Sequence, residues 1–168
     1  IIYYSTTTND VIDINNDEIV CKKKKIGLNR IDYAVISPGI PPTNHVLQKL
    51  ASSGCKFTTD IEIIQKLSQA KFICVTGTNG KTSTVNLIAD ILNDNNISAI
   101  ACGNNGISVF ESLQNSYDYI LLELSSYQLE YINKLNSFIS IILNLSEDHL
   151  ERHRTLENYF GIKEKIFN

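Results

Sequence analysis

The sequence predicts an α/β chain in two parts: a partial Rossmann-like N-terminal domain over 1–68, then an incomplete parallel-sheet domain of the P-loop type over 69–168. Three observations predict it. Short apolar, β-branched runs alternate with segments of helical periodicity, the pattern of strands joined by crossover helices. One such run, Phe72-Ile73-Cys74-Val75, breaks into Gly77-Thr78-Asn79-Gly80-Lys81-Thr82 and then turns helical. Finally, the chemically interesting polar residues follow directly on apolar runs, at the carboxyl strand ends where ligands gather in open parallel sheets.

Taken in order, 1–4 reads as a strand entered without its preceding element, 5–9 as the polar loop after it, and 17–21 as another short strand. Tyr33-Ala34-Val35-Ile36 is a buried strand. It ends on Ser37-Pro38-Gly39-Ile40-Pro41-Pro42, where proline fixes φ and withholds a donor, so neither helix nor sheet continues. The segment 44–53 sets Val46, Leu47 and Leu50 on one helical face and closes at Gly54. A strand over 56–58 follows, and Asp60 caps a helix that runs to Leu67. Beyond the glycine-rich loop, apolar spacing predicts a helix over 84–92, a strand over 97–101, a loop over 103–106 and a helix over 107–113. A strand over 117–122 ends at Glu123, and another over 138–145 ends at Glu147-Asp148-His149. The last helix, over 155–167, turns Leu156, Tyr159, Phe160 and Ile166 toward the core.

Composition narrows the function classes. A formal charge of −3 offers no basic field for nucleic acid, and the one lysine run, 22–25, reads as a solvated turn. Cys21, Cys55, Cys74 and Cys102 show no paired CxxC spacing, so they read as reduced core thiols of a cytoplasmic protein. No apolar run approaches the roughly 18 residues of a membrane helix, and no signal peptide is visible at the start. The chain contains no methionine, which suggests that Ile1 is not a natural beginning. A fragment is expected.

The loop between Val75 and the following helix has the composition of a phosphate cradle. Glycines allow a tight turn whose N–H groups face an anion, and the helix aims its positive end at the same place. Lys81 would meet the β- and γ-phosphates, and the Thr82 hydroxyl would hold Mg²⁺. The loop is shorter than GxxxxGK[ST], which wants glycine where Val75 stands. Glu123, at a neighbouring strand end, is placed to hold the same Mg²⁺, with a helix cap or surface acid as the plainer alternative. His149 reads as a metal ligand, an acid–base group or a hydrogen-bonded loop residue. By default Lys163 is solvated, and Asn104 and Gln128 can bond their own backbone as easily as a ligand. These residues reach a nucleotide triphosphate and Mg²⁺, and stop before the acceptor.

The segments SPGIPP, GTNGKT, LELSSYQLE and LNLSEDHLERHRTLENY, the last followed by Lys163, resemble the Mur ligases of bacterial cell-wall synthesis. SPGI and LELSSYQL favour the branch that uses D-glutamate. The resemblance implies an ATP-dependent carboxylate–amine ligase with UDP-N-acetylmuramoyl-L-alanine and D-glutamate as substrates and an acyl phosphate between its two steps. ATP would lie on Gly77, Thr78, Asn79, Gly80, Lys81, Thr82 and Ser83. A first Mg²⁺ would be held by Thr82 and Glu123, and a second by His149 with a CO₂-derived carbamate on Lys163. Lys81, Glu123, His149 and Lys163 thereby become the catalytic set. Asn104, Ser125 and Gln128 match positions that contact the uridine nucleotide, as do Ser37, Pro38 and Gly39, and the loop with Ser5 and Thr6 would meet its diphosphate. A cytoplasmic monomer without nucleic-acid or membrane partners is implied. The first βα unit, the end of the second domain and the whole third domain are missing from this pattern, so the fragment is expected to be inactive alone. Two other readings stay open: a Mur-type or folylpolyglutamate-type ligase with another acceptor, and a nucleotide-binding module without catalysis.

Overall fold

The computed structural model describes residues 13–15, 18–21 and 24–27 as strand backbone, and 31–168 in full. The expected strand over 1–4 and the loop with Ser5 and Thr6 lie outside the described residues. The chain divides into two compact units, Ile1–Thr59 and Asp60–Asn168.

In the first unit, β1 (Asp13–Asn15), β2 (Glu18–Cys21) and β3 (Lys24–Gly27) form an antiparallel sheet in that order. This corrects the expectation that the region is wholly parallel; of the lysine run read as a turn, Lys24 and Lys25 belong to β3, and 22–23 lie outside the described residues. Two residues separate consecutive strands, enough for a hairpin and far too few for a crossover. The parallel pair is β4 (Tyr33–Val35) with β5 (Lys56–Thr58), connected through helix α1 (His45–Ser52). Asn44 starts α1 by accepting the Val46 N–H at 2.9 Å. Val46 and Leu50 pack with Cys55 against Ile31, Ala34 and Phe57. After β4 the chain turns at Ser37-Pro38-Gly39, closed by the Ile40 N–H donating to the Ser37 carbonyl at 3.1 Å.

Helix α2 (Asp60–Leu67) opens the second unit, where the sequence reading grouped it with the first domain. The reason is packing: Ile61 and Ile64, fully buried, join the second core. That unit is a four-stranded parallel sheet in the order β7 (Ala99–Gly103), β8 (Tyr119–Glu123), β6 (Lys71–Thr76), β9 (Ile139–Ile142). Side chains alternate across it, as the period of two demands. Ile73, Val75 and Leu121 meet Val85 and Ala89 of α3 (Lys81–Asp94) on one face. Phe72, Cys74, Ile120 and Leu122 meet Ile61, Ile64 and Leu129 on the other. Leu129 belongs to α4 (Ser126–Tyr131), and α5 (Leu150–His153) and α6 (Leu156–Glu164) complete the helices. Neither α4 nor α5 was visible in the periodicity, because six and four residues are too few to display it. The expected helix over 107–113 is a 3₁₀ turn, Val109–Leu113. Strand β7 starts later than read, since the Ser98 and Ala99 N–H groups are first taken by Asp118 Oδ2 and Asn93 Oδ1, both at 3.0 Å. Among the described residues no helix is long and apolar enough to cross a membrane.

Candidate functional site

The register of the sheet assembles the site. Glu123 pairs with Val75 on one side and Gly103 on the other, and Thr76 pairs with Ile142, so the carboxyl tips end side by side. The order of strands also reverses direction about β6, the kind of switch point that opens a crevice. There a cleft of about 210 Å³ is walled by Lys81, Asn104, Ser126, Asp148, His149 and Lys163, among others. Six of the residues named from the sequence, Gly77, Lys81, Asn104, Ser125, His149 and Lys163, therefore line one cleft. Ser37, Pro38 and Gly39 lie in the first unit and form the turn after β4.

The loop from β6 to α3 turns on Gly80, which caps the helix in the left-handed region at φ 84°, where a side chain would be strained. Not all of its amides are open. Thr78 N–H donates to the Asn144 carbonyl and to Asn144 Oδ1, each at 3.1 Å, and Asn79 N–H donates to the same Oδ1 at 2.9 Å. The Asn144 amide in turn donates to the Asn79 carbonyl at 3.0 Å. Thr78 and Asn79 are thus held by β9's exit loop, and the donors left for an anion are later ones. The N–H groups of Gly80, Lys81, Thr82 and Ser83 have no acceptor among the described residues, and the first helical bond runs from Thr84 to Gly80 at 3.0 Å. A helix N-terminus with several bare donors suits a phosphate. Lys81 waits beside it, its Nζ donating to the carbonyls of Gly77 at 3.0 Å and Thr78 at 2.8 Å.

Glu123 is 2% exposed, and both its oxygens are engaged. Thr82 Oγ donates to Oε2 at 2.7 Å, and Asn104 Nδ2 donates to Oε1 at 3.1 Å. By giving its proton to the carboxylate, Thr82 leaves its oxygen lone pairs for a cation, while Asn104 fixes the carboxylate plane. Gly103 makes this approach possible: a Cβ there would stand 2.5 Å from the Glu123 carbonyl oxygen. Among the described residues no three His, Cys, Asp or Glu side chains gather as a metal site. The donor set present, one carboxylate and one hydroxyl beside a phosphate cradle, instead fits a hard cation completed by phosphate oxygens and water.

Lys163, expected by default in solvent, is buried. It reaches from α6 under the loop, its Nζ donating to the Gly77 carbonyl at 2.9 Å and to Thr76 Oγ at 3.3 Å, 4.8 Å from the Tyr159 ring centroid. Burial, then the neighbouring Lys81 charge, pull its pKa down to about 8, against the opposing pull of Asp148. A free amine is therefore accessible near neutrality.

His149 stands at the opposite wall in the left-handed region at φ 52°, a conformation that costs a non-glycine residue about 1–2 kcal/mol. Its Nδ1 lies 3.3 Å from Tyr127 Oη, and its Nε2 is 3.5 Å from Asp148 Oδ2. Ser125 and Gln128 do what a helix start requires: the Ser125 side chain accepts the Gln128 N–H at 3.2 Å, and the Gln128 side chain accepts the Ser125 N–H at 2.9 Å. The sequence reading missed Asn144, Ser126, Tyr127, Asp148, His153 and Tyr159 as site residues. Asn144 had a usable signal, being the first polar residue after an apolar strand.

A family model described as the Mur ligase middle domain matches residues 75–168. The chain is 40% identical to UDP-N-acetylmuramoylalanine–D-glutamate ligase of Wolbachia pipientis wMel over 86% of its own length and 29% of that relative's. It is 33% identical to the enzyme of the same name from Thermoanaerobacter pseudethanolicus, over 99% of its length and 39% of the relative's. The chain thus spans well under half of these relatives. A solved UDP-N-acetylmuramoyl-L-alanyl-D-glutamate–2,6-diaminopimelate ligase shares the fold, with TM-score 0.53 and 21% identity over 81% of this chain and 40% of that one. With a glycine-rich loop, strand-tip glutamate and buried lysine inside the matched span, the chain belongs to the Mur ligase middle-domain family.

Proposed function

We propose that this chain is part of an ATP-dependent ligase that joins D-glutamate to UDP-N-acetylmuramoyl-L-alanine in cytoplasmic peptidoglycan synthesis. In this reading 1–68 contributes to a uridine-nucleotide domain and 69–168 to the ATP-binding domain. One observation carries the proposal: bare helix amides, Lys81, the Thr82–Glu123 pair and a buried Lys163 all converge on one region. The relatives that share the sequence pattern bear that activity in their names.

The chemistry asks anions to meet. In the first step the L-alanyl carboxylate attacks the γ-phosphorus of ATP, the bond to the bridging oxygen breaks, and ADP leaves an acyl phosphate. In the second, the D-glutamate amine attacks the acyl carbon, phosphate departs, and an amide remains. The N–H groups of Gly80, Lys81, Thr82 and Ser83 hold phosphate oxygens without rearranging, and Lys81 leaves the Gly77 and Thr78 carbonyls to meet them. Thr82 and Glu123 would hold Mg²⁺, which when bound neutralises charge on the transferring phosphoryl group. Asn104 keeps Glu123 in plane and offers its remaining amide atoms to the nucleotide substrate.

Lys163 and His149 form the second part of the proposal. The neutral Lys163 amine would add to the carbon of CO₂ and lose a proton; the resulting carbamate, with His149, would help hold a second Mg²⁺, which when bound would supply further charge neutralisation. A depressed pKa and tight burial support this, since an ammonium there would repel the ion. The decisive measurement is ADP release by the full-length protein. It should require both the muramoyl-alanine nucleotide and D-glutamate; release that needs neither, or that follows a different amino acid, sinks this substrate assignment.

A further inference from the structure

The two serines that open α4 are differently employed. Ser125 is closed upon Gln128: its Oγ accepts the Gln128 N–H at 3.2 Å and donates to Gln128 Oε1 at 3.1 Å. Ser126, 2% exposed yet lining the cleft, has one hydrogen-bond partner among the described residues, His153 Nε2 at 2.9 Å. His153 is also 2% exposed, with its ring between Tyr127 and Tyr159, 5.5 Å from each centroid. Its Nδ1 is buried without a partner among the described residues.

Counting protons fixes the direction of the contact. A neutral imidazole carries one N–H. On Nδ1 that proton would be a buried donor with no acceptor; on Nε2 it donates to Ser126 Oγ and leaves only a bare lone pair, the cheaper arrangement. The doubly protonated ring would bury a charge between two tyrosine rings and leave the Nδ1 donor without an acceptor among the described residues, so the neutral ring is the one that fits. Ser126 Oγ therefore accepts from behind and keeps its own proton. No acceptor among the described residues takes that proton, and the open side of the oxygen is the cleft shared with Lys81 and Lys163.

We propose that Ser126, oriented by His153, donates a hydrogen bond to the anionic oxygen of the carboxylate substrate as it becomes the acyl phosphate. His153 is a positioning residue, and Ser126 rather than Ser125 is the serine with a hydrogen to give. The inference rests on the ligase reading above, and the test separates the two.

In the full-length enzyme, Ser126→Ala should lower kcat/KM for the muramoyl-alanine nucleotide about ten- to a hundredfold while Mg·ATP affinity moves less than about twofold. Ser126→Thr, which keeps the hydroxyl, should recover most of that loss. His153→Phe keeps a ring between the tyrosines but cannot donate; it should lower the same ratio, and combined with Ser126→Ala it should add little, as expected for groups acting as a unit. Wild-type kcat/KM in Ser126→Ala overturns the inference and leaves the ligase reading intact. So does a loss that falls equally on Mg·ATP affinity and melting temperature without threonine rescue, the pattern of a merely structural serine. A wild-type enzyme with no nucleotide-dependent ADP release removes the ligase reading and this inference together.

Discussion

Lys163 is the side chain whose charge the fold opposes most openly. Its pKa falls from the ordinary 10.5 to about 8, so between those values the unfolded chain binds more protons than the folded one. Stability contributed by this group therefore rises with pH from about 8 to 10.5, and below that window both states hold the proton and the full penalty stands. Urea unfolding of the full-length protein in CO₂-free buffer should show wild type gaining on Lys163→Met as pH climbs through the window; parallel pH profiles would refute it. In activity, Lys163→Ala should be strongly depressed and partly restored by acetate or formate, whose carboxylates can stand in for the proposed carbamate. At this scale the sequence was legible where a motif has its own local geometry: Gly80, Lys81 and Thr82 do sit at a helix start, and Glu123 does end a strand. The roles of Tyr159 and His153 were not legible, because the first comes from a contact across 81 residues of chain and the second from burial; Asn144 announced itself only as a polar residue after a strand, its partner lying 65 residues away.

Elements carry a second set of consequences. Helix α4 is tied to α5 by Arg152, whose Nε and Nη2 both donate to Glu130 Oε2, at 3.0 and 2.6 Å, while its guanidinium lies 5.2 Å from the Tyr127 ring. The pair is only 12% and 19% exposed, so it is better shielded than a surface ion pair. Arg152→Met should cost about 1.5–3 kcal/mol by chemical denaturation. Gly103→Ala should be worse tolerated than its size suggests. Its φ of 110° and the 2.5 Å approach to the Glu123 carbonyl together predict a loss of about 1–3 kcal/mol, readable as a lowered melting temperature. Strands and long helices were readable because each repeats its period several times. Short α4 and α5 were not, and the antiparallel β1, β2 and β3 were hidden because only the spacing between them distinguishes a hairpin from a crossover.

For the molecule as a whole, the two compact units divide at Thr59, and α2 travels with the second because Ile61 and Ile64 are buried there. The alternation of strands and helices foretold a parallel sheet, yet it could not say where one core ends, since an amphipathic helix does not name the sheet it will cover. The chain covers 29% and 39% of its two quoted relatives, so the 168 residues by themselves should show no ADP release dependent on both substrates, whereas the full-length protein should. Substrate-dependent turnover by the short chain would overturn that expectation.

Strand β8 offers a last lesson about how such a protein can and cannot change. Leu121 looks to one layer, Leu122 to the other, and Glu123 terminates the same run. Inserting or deleting a single residue there would swap both leucines between layers and swing the carboxylate off its perch in one stroke. Drift by indels is thus forbidden on two counts at once, and heritable variation in this segment is confined to substitutions that keep its beat.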